Sequence, residues 1–381
     1  MSSKPMGRGQ KRRKVLLLGS YAPSLINFRG RLIAAMAARG HEVFAAAPDI
    51  DEATAAKVRA LGATPVPVVL GRTSLDPLAT WRSGRELRAL VRRIAPDVMI
   101  AYTIKPVVLG AAAAKAAGVP CFVAMITGMG YPFLGGLHPK RVAIRLAAMF
   151  LYRRALAASQ LVIFQNEDDR GDFRRLRLLP RATPTLLVAG SGVDLEYFAP
   201  QPLPAELSFL MIARFLRDKG ILEFGAAAAR LKAEFPQVRI RLAGWLDESP
   251  DSIRPDELEA MVASGVEPLG QLADVRPAIA GCSVYVLPSY REGTPRTVLE
   301  AMAIGRAIVT TDAPGCRGTV VDGKNGFLVP PRDADALYRA MRRFVEAPAL
   351  ARTMGAASLR LVRDRFDVDA VNASILQRTG L

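Results

Sequence analysis

The sequence VYVLPSYREGTPRTVLEAMAIG occupies residues 284–305 of a chain of 381 residues. Its apolar start, residues 284–288, predicts a buried strand. The later apolar run, which carries Glu300, predicts a helix. Proline suits the first helical position, because its missing N–H would be unpaired there, and Pro295 is therefore expected to open that helix. The stretch predicts a strand, a loop and a helix in succession.

Two carboxylates in this stretch, Glu292 and Glu300, are separated by seven residues. Glu292 falls in the loop above the strand end, whereas Glu300 falls more than one turn into the helix. At about 1.5 Å rise per residue, Glu300 lies roughly 6–8 Å from the helix start. The free N–H groups at that start favour an anion such as a phosphate. A nucleoside diphosphate bound there would place its ribose near Glu300 and its terminal substituent near Glu292.

At these residues the chain resembles the retaining glycosyltransferases of family 4, which carry two glutamates at this spacing. Residues 25–30, 102–106 and 126–131 resemble the subgroup that adds sugars to undecaprenyl-diphosphate-linked acceptors, as bacillosaminyl-lipid N-acetylgalactosaminyltransferases do. The resemblance implies an α/β protein of the GT-B fold, with two Rossmann-like doubly wound domains facing a cleft. It implies a hexosyltransferase that moves a sugar from a UDP-sugar onto a lipid-linked saccharide in bacterial surface polysaccharide or glycan assembly.

The resemblance also implies residue roles in catalysis and in binding the donor. Arg214 and Lys219 would contact the donor diphosphate and act with Glu292 in catalysis, because two cations at a strand end can stabilise the charge that develops there. Glu300 would bind the ribose. The further donor-binding candidates are Gly293, Thr294, Pro295, Arg296 and Gly30. Alternatively, the two glutamates are ordinary helix-entry acids that the helix dipole stabilises, and the two cations lie in a solvated loop.

The first domain contributes candidates for a loop that contacts the acceptor or the transferred sugar. Many members of the family place a histidine near the donor sugar, after the strand that ends here at Ile126, but this chain has Thr-Gly-Met-Gly at 127–130. Thr127, Lys105 or backbone amides are the substitutes. The candidates in this group are Asn27, Arg29, Lys105, Thr127 and Gly128. Alternatively, residues 27–30 are a plain helix start.

Buried strands are predicted at the apolar runs 15–18, 43–47, 65–69, 98–102, 121–126, 161–165, 208–213, 239–243, 284–288 and 307–310. They alternate with helical stretches, which predicts parallel sheets covered on both faces. A second series of strands starts at Ser208, after a Gly- and Pro-rich stretch typical of a linker. We predict a disordered basic tail at 1–13, an acceptor-binding domain at 14–190 and a linker at 191–204. A nucleotide-sugar domain follows at 205–365, and a helix at 366–381 returns to the first domain, as in the family.

Charge is distributed unevenly. Residues 1–190 carry 29 Lys and Arg against 11 Asp and Glu, whereas residues 191–381 carry 23 against 24. A basic half indicates an anionic partner such as a membrane surface. Residues 139–158 are apolar and fringed by Lys140, Arg141 and Arg145. They form either an interfacial helix on anionic lipid or a packed helix with snorkelling arginines. No apolar run reaches the ~18–20 residues of a membrane-spanning helix.

These patterns define the expected compartment, partners and cofactors. Three widely spaced cysteines fit a reducing cytosol, so we expect a cytoplasmic protein bound peripherally to the inner face of the cell membrane. No His/Cys cluster indicates a metal, and no cofactor is expected. The basic segments lack interleaved aromatics, which argues against nucleic acid as a partner. Two alternatives remain: a nucleotide-sugar epimerase of the same two-domain fold, and a non-enzymatic basic nucleic-acid-binding protein.

Overall fold

The structure is a computed structural model that describes residues 11–70, 77–129, 139–249 and 251–381, without the side chains of 77–79 and 139–141. The chain divides into two compact units. The first ends at Ser191 and regains Asp369–Leu381, and the second runs from Gly192 to Val368. Residues 192–204, predicted as a separate linker, are therefore counted with the second unit.

The first unit is built on a parallel sheet that has seven strands in the described residues, in the order β3-β2-β1-β4-β5-β6-β7. Its strands are β1 (Lys14–Leu18), β2 (Glu42–Ala47), β3 (Ala63–Pro67), β4 (Val98–Tyr102), β5 (Cys121–Ile126), β6 (Leu161–Phe164) and β7 (Thr185–Leu187). Its helices are α1 (Pro23–Asn27), α2 (Gly30–Ala38), α3 (Glu52–Ala60), α4 (Pro77–Ile94), α5 (Ile104–Ala117), α6 (Pro139–Ala157) and α7 (Glu167–Arg175).

Alternate residues of the buried strands supply two cores, one on each face of this sheet. Leu16 and Leu18 of β1 contribute to one core, and Val15 and Leu17 contribute to the other. Such two-sided burial explains why these strands read as unbroken apolar runs. The last helix, α14 (Val368–Thr379), completes the second of these cores with Val371, Ile375 and Leu376, together with Leu381 beyond its end.

The second unit repeats the plan with a parallel sheet of six described strands, in the order β10-β9-β8-β11-β12-β13. Its strands are β8 (Ser208–Ile212), β9 (Arg239–Ala243), β10 (Val266–Gly270), β11 (Val284–Leu287), β12 (Ala307–Thr311) and β13 (Gly326–Val329). The helices are α8 (Ile221–Glu234), α9 (Pro255–Ala263), α10 (Arg276–Ala280), α11 (Arg296–Ile304), α12 (Ala334–Glu346) and α13 (Ala349–Arg365). The chain then returns to the first unit with α14.

The strand orders locate the candidate sites. Each order reverses once, between β1 and β4 in the first sheet and between β8 and β11 in the second. Ligands of such sheets bind outside the carboxyl ends of the strands at the reversal. Gly19 and Thr103 follow the two strands in the first unit, and Ala213 and Pro288 follow them in the second. Within the described residues, no helix is long and apolar enough to cross a membrane.

Candidate active site

Two glycines allow three loops of the second unit to approach one another. Gly220 lies in the left-handed region (φ 71°), and a Cβ there would overlap the carbonyl oxygen of Pro288. Gly315 (φ 78°) lies against the carbonyl oxygen of Glu292 in the same way. Glycine is needed at both positions because a larger residue would meet backbone. The turn after β8, the loop after β11 and the loop after β12 therefore meet at one point.

Lys219 and Glu292 form an ion pair at this point. Lys219 Nζ donates a hydrogen bond to Glu292 Oε1 at 2.7 Å, and Ser289 Oγ donates to the same oxygen at 3.0 Å. Both charged side chains are largely buried, with 16% and 19% of their surfaces exposed. The structure thus joins two of the three predicted catalytic residues, which are 73 positions apart in sequence.

The surroundings keep Lys219 protonated. Burial alone would lower its pKa, but the carboxylates of Glu292 and Asp218 raise the pKa above its ordinary value. The pKa of Asp218 is raised as well, because its carboxyl is buried, and the charge of Lys219 partly offsets that rise. One oxygen of Asp218, Oδ1, is buried without a hydrogen-bond partner in the described residues. The site is therefore a desolvated group of charges around one lysine, in which electrostatic interactions are strong.

Arg214, the third predicted catalytic residue, lies nearby but has a different partner. Its Nη1 donates to Asp247 Oδ2 at 2.9 Å. Its charge still lowers the pKa of both Asp218 and Lys219. Arg217 lies in the same turn but does not pair with its neighbour Asp218. It binds both oxygens of Glu257, at 2.9 and 2.8 Å, because the turn after β8 faces the start of α9.

Helix α11 carries the second glutamate. Pro295 is the residue before the helix and gives no side-chain cap, so the helix begins at Arg296, one residue later than predicted. Glu300 lies on the second turn and is 6% exposed. Arg296 Nε donates to Glu300 Oε1 at 2.8 Å. Burial raises the pKa of Glu300 to about 7, although Arg296 acts to lower it.

The other donor-binding candidates are placed as follows. Gly293 and Thr294 are partly exposed in the loop between Glu292 and α11, and Thr294 Oγ1 donates to the carbonyl oxygen of Gly293 at 2.8 Å. Gly30 belongs to the first unit, where it is the first residue of α2. A Cβ on Gly30 would lie 3.5 Å from the side chain of Leu61, so this side of Gly30 packs against Leu61.

In the first unit, Arg29 is part of a buried network. Its guanidinium lies over the ring of Tyr102 at 5.0 Å and donates from Nη1 to Ser191 Oγ at 3.2 Å. The Tyr102 hydroxyl and Ser24 Oγ are 2.8 Å apart. Arg29 is only 3% exposed, whereas Asn27 at the end of α1 is exposed. Arg29 therefore binds Ser191, the last residue of the first segment of this unit. Asn27 is the one of these two candidates that is open to solvent.

Lys105, Thr127 and Gly128 follow neighbouring strands of the first sheet, β4 and β5. Lys105 is partly buried in the first turn of α5, and burial lowers its pKa. The residue before that helix, Thr103, has φ 69°, an uncommon value for a β-branched residue, and its Oγ1 donates to Ser20 Oγ at 2.8 Å. Thr127 and Gly128 are partly exposed beyond β5. His138, the histidine that follows β5 in the sequence, lies outside the described residues.

Sequence reasoning missed the groups that hold the charged residues in place. Ser289, Asp247 and Asp218 were not among the candidates. Ser289 and Asp247 follow strands β11 and β9, and their position near the carboxyl ends of strands is the signal that would have found them. In the described residues, no group of three His, Cys, Asp or Glu side chains is close enough together to hold a metal ion.

Two family models match the chain. The model described as "Glycosyl transferase 4-like domain" matches residues 27–189, and "Glycosyl transferases group 1" matches residues 206–347. Together they cover about four fifths of the chain. The chain belongs to the family 4 glycosyltransferases. The resemblance inferred from the two glutamates is confirmed, and this enzyme is a hexosyltransferase rather than an epimerase or a nucleic-acid-binding protein.

The glycosyltransferase has curated relatives across most of its length. It is 28% identical over 347 residues to the N,N'-diacetylbacillosaminyl-diphospho-undecaprenol alpha-1,3-N-acetylgalactosaminyltransferase of Campylobacter jejuni, covering 87% of this chain and 89% of that one. It is 26% identical over 300 residues to the UDP-Gal:alpha-D-GlcNAc-diphosphoundecaprenol alpha-1,3-galactosyltransferase of Escherichia coli, covering 75% of each.

Solved structures confirm the fold of the glycosyltransferase. The sucrose-phosphate synthase of Thermosynechococcus elongatus matches with a TM-score of 0.80 at 21% identity, covering 96% of this chain and 98% of that one. HepE of Anabaena in complex with UDP-glucose matches with a TM-score of 0.76 at 21% identity, covering 96% and 99%. The predicted GT-B architecture with two Rossmann-like domains is therefore correct.

Proposed function

We propose that this glycosyltransferase transfers a sugar from a UDP-sugar to a saccharide linked to a lipid diphosphate, with retention of anomeric configuration and without a metal ion. The curated relatives named for diphospho-undecaprenol substrates support the acceptor class. A neighbouring structure that contains UDP-glucose supports the donor class. The acceptor sugar belongs to bacterial surface polysaccharide or glycan assembly.

The observation that carries the proposal is the Lys219–Glu292 ion pair at the start of the segment that leads into α11. Lys219 is a protonated, largely buried cation at a strand end, where a donor diphosphate would meet it. Glu300 lies on the second turn of the same helix, at the distance expected for the ribose of that nucleotide. Arg214 supplies a second positive charge close to Lys219.

The partners of Glu292 argue against its acting as a nucleophile. Its Oε1 accepts hydrogen bonds from both Lys219 and Ser289, which lowers the reactivity of the carboxylate. We assign Glu292 to the hydroxyl groups of the donor sugar. The acceptor hydroxyl attacks the anomeric carbon on the face from which the diphosphate departs. Its oxygen bonds to that carbon, the carbon–oxygen bond to phosphate breaks, and the proton passes to the departing phosphate oxygen. Arg214 and Lys219 stabilise the negative charge that develops on it.

The first unit offers a surface for the membrane that holds a lipid-linked acceptor. Tyr152, Ala155 and Leu156 pack α6 into the core, but Leu146 and Phe150 on the same helix are 59% and 60% exposed. Residues 143, 146, 147, 150, 151, 154 and 157 are exposed, and each has another of the set three or four positions away, so they lie along one face of the helix. Arg154 lies over the Phe150 ring at 5.6 Å. Exposed apolar side chains bordered by arginine suit the boundary of an anionic membrane.

A transfer assay tests the enzymatic proposal. Purified enzyme, UDP-sugars labelled in the sugar, and synthetic polyprenyl-diphosphate-linked saccharides are incubated with and without EDTA. We expect label in the lipid-soluble product, an α linkage from an α-linked donor, and an undiminished rate in EDTA. Label found only as free sugar or in a water-soluble acceptor would contradict the acceptor class. A rate abolished by EDTA and restored by Mg²⁺ would contradict the metal-free mechanism.

A flotation assay tests the membrane surface. We expect Lys140→Ser/Arg141→Ser/Arg145→Ser to reduce binding to anionic vesicles, because each cation near such a surface contributes about 1 kcal/mol. We expect Leu146→Ser/Phe150→Ser to reduce binding as well. Val69→Ser removes another exposed apolar residue of the first unit and is the control. Binding should weaken as salt rises, since screening acts over about 10 Å at 0.1 M. Equal flotation of all variants, or none by the wild type, would reject this surface.

A further inference from the structure

Glu300 and Arg296 form a pair whose geometry separates the two oxygens of the carboxylate. They are four residues apart on α11, so their side chains lie on one face of the helix. Arg296 Nε occupies Oε1 at 2.8 Å. Oε2 accepts no hydrogen bond from the described residues, and the glutamate side chain is 8% exposed. One oxygen is thus fixed by the protein, and the other remains for a ligand.

Within the part of the chain that the structure describes, this carboxylate faces one cation, the guanidinium of Arg296. The titratable groups that face it in the described residues are Arg296 on its own helix, Asp274 ahead of α10, and Tyr285 on β11. Asp274 is itself paired with Arg276 at 2.7 Å, and its charge opposes ionisation of Glu300. The hydroxyl of Tyr285 donates a hydrogen bond to the carbonyl oxygen of Ile212 at 3.1 Å, and Tyr285 does not act as a counter-ion to Glu300. Arg296 is therefore the group that favours the charged form of Glu300.

We propose that Arg296 is a positioning residue, which holds one oxygen of Glu300 as a carboxylate and leaves the other for the hydroxyl groups of the donor ribose. This inference rests on the proposed function, in which Glu300 binds that ribose. It replaces the expectation that Arg296 contacts the donor directly. A carboxylate accepts hydrogen bonds from two neighbouring hydroxyls, whereas a protonated carboxyl has less capacity to accept.

The pair explains how a buried carboxylate remains useful near neutral pH. Burial raises the pKa of Glu300 to about 7, and the arginine acts in the opposite direction. Loss of the arginine removes the lowering influence, so the pKa moves further up. As the pH is lowered, Glu300 would then become protonated, and recognition of the ribose would be lost, at a higher pH than in the wild type. The rest of the nucleotide would be bound as before.

The test measures binding of two nucleotides by calorimetry between pH 6 and pH 9. UDP presents both ribose hydroxyls, and 2′,3′-dideoxy-UDP presents neither. The ratio of their dissociation constants isolates ribose recognition from the titration of the phosphates. The variants are Arg296→Met and Arg296→Lys. The control is Arg342→Met, which breaks a pair of the same spacing and the same 2.8 Å Nε–Oε1 geometry with Glu346 on the exposed face of α12.

We expect the wild type to prefer UDP by about tenfold or more, the effect of a hydrogen bond to a charged group. In Arg296→Met, the ratio of the two dissociation constants should be close to one at pH 6.5. By pH 9 the variant should regain part of the wild-type preference for UDP. Arg296→Lys should fall between them, and Arg342→Met should match the wild type. Thermal melting in the absence of nucleotide establishes that each variant is folded.

Two results would overturn the positioning role alone. An unchanged ratio in Arg296→Met means that Glu300 does not depend on the arginine. An equal loss of affinity for both nucleotides at every pH means that Arg296 contacts the phosphates or the base directly. A wild type that binds UDP without preferring it over the dideoxy nucleotide overturns the ribose role of Glu300 and the positioning role with it. That result is distinguished from the first two because they require a wild-type preference.

Discussion

Replacing Glu300 with glutamine should stabilise the second unit at alkaline pH. The folded-state pKa of Glu300 is about 7, against 4.5 for an ordinary glutamate. With respect to this group, the wild type is most stable below pH 4.5 and loses stability as the pH rises through about 7, because unfolding releases the carboxylate to water. The difference of about 2.5 pH units corresponds to about 3 kcal/mol at pH 9. Glutamine does not ionise, so Glu300→Gln avoids this loss.

Urea unfolding of the nucleotide-free protein at pH 5, 7 and 9 measures the effect. The two tryptophans lie one in each unit, at 81 and 245. Trp81 is 62% exposed, so a Trp81→Phe background leaves the fluorescence of Trp245 to report the unit that contains Glu300. The free energy of unfolding of Glu300→Gln relative to the parent should rise by about 2.5 kcal/mol between pH 5 and pH 9, because a small part of the loss is already present at pH 5.

Glu300→Gln also weakens the bond to Arg296, whose side chain is one quarter exposed and can hydrogen-bond to water instead. This weakening shifts the free energy of unfolding of the variant by the same amount at every pH. The change with pH is therefore the diagnostic quantity. Glu346→Gln removes an exposed glutamate that pairs with an arginine at the same spacing, and it should show almost no change with pH. A difference for Glu300→Gln that stays flat from pH 5 to pH 9 would refute the argument that burial governs this carboxyl.

Two further predictions concern catalysis. Glu300→Ala should raise the dissociation constant of the donor nucleotide by one to two orders of magnitude, about 1.4–2.8 kcal/mol, because ribose hydroxyls lose their acceptor; unchanged affinity in a folded variant would exclude the role. Arg214→Ala and Lys219→Ala should each lower kcat more than they raise KM, since the charge that they face grows in the transition state, whereas Arg217→Ala in the same turn should keep wild-type kinetics. An effect of Lys219→Ala on KM alone would limit that residue to ground-state binding.

Most buried strands of both sheets could be predicted from the sequence. β4 and β5 were predicted with the bounds that the structure has, because two-sided burial imposes an apolar run that ends where the burial ends. The three strands that were missed, β7, β10 and β13, lie at edges of the sheets. β10 carries Glu267 and Pro268, and β7 has three residues, so neither shows the apolar run of a central strand.

The sequence by itself also determined the spacing of the two glutamates and the placement of residues 296 and 300 on one face of a helix, because the period of a helix is local information. Only the tertiary structure decided that Lys219 meets Glu292, that Arg214 meets Asp247, and that Arg217 meets Glu257 instead of its neighbour. These partners are 73, 33 and 40 residues apart. They meet because β8 lies between β9 and β11, and that strand order results from the packing of whole helices and sheets. The burial that sets the pKa of Glu300 arises from the same packing, which no local pattern specifies.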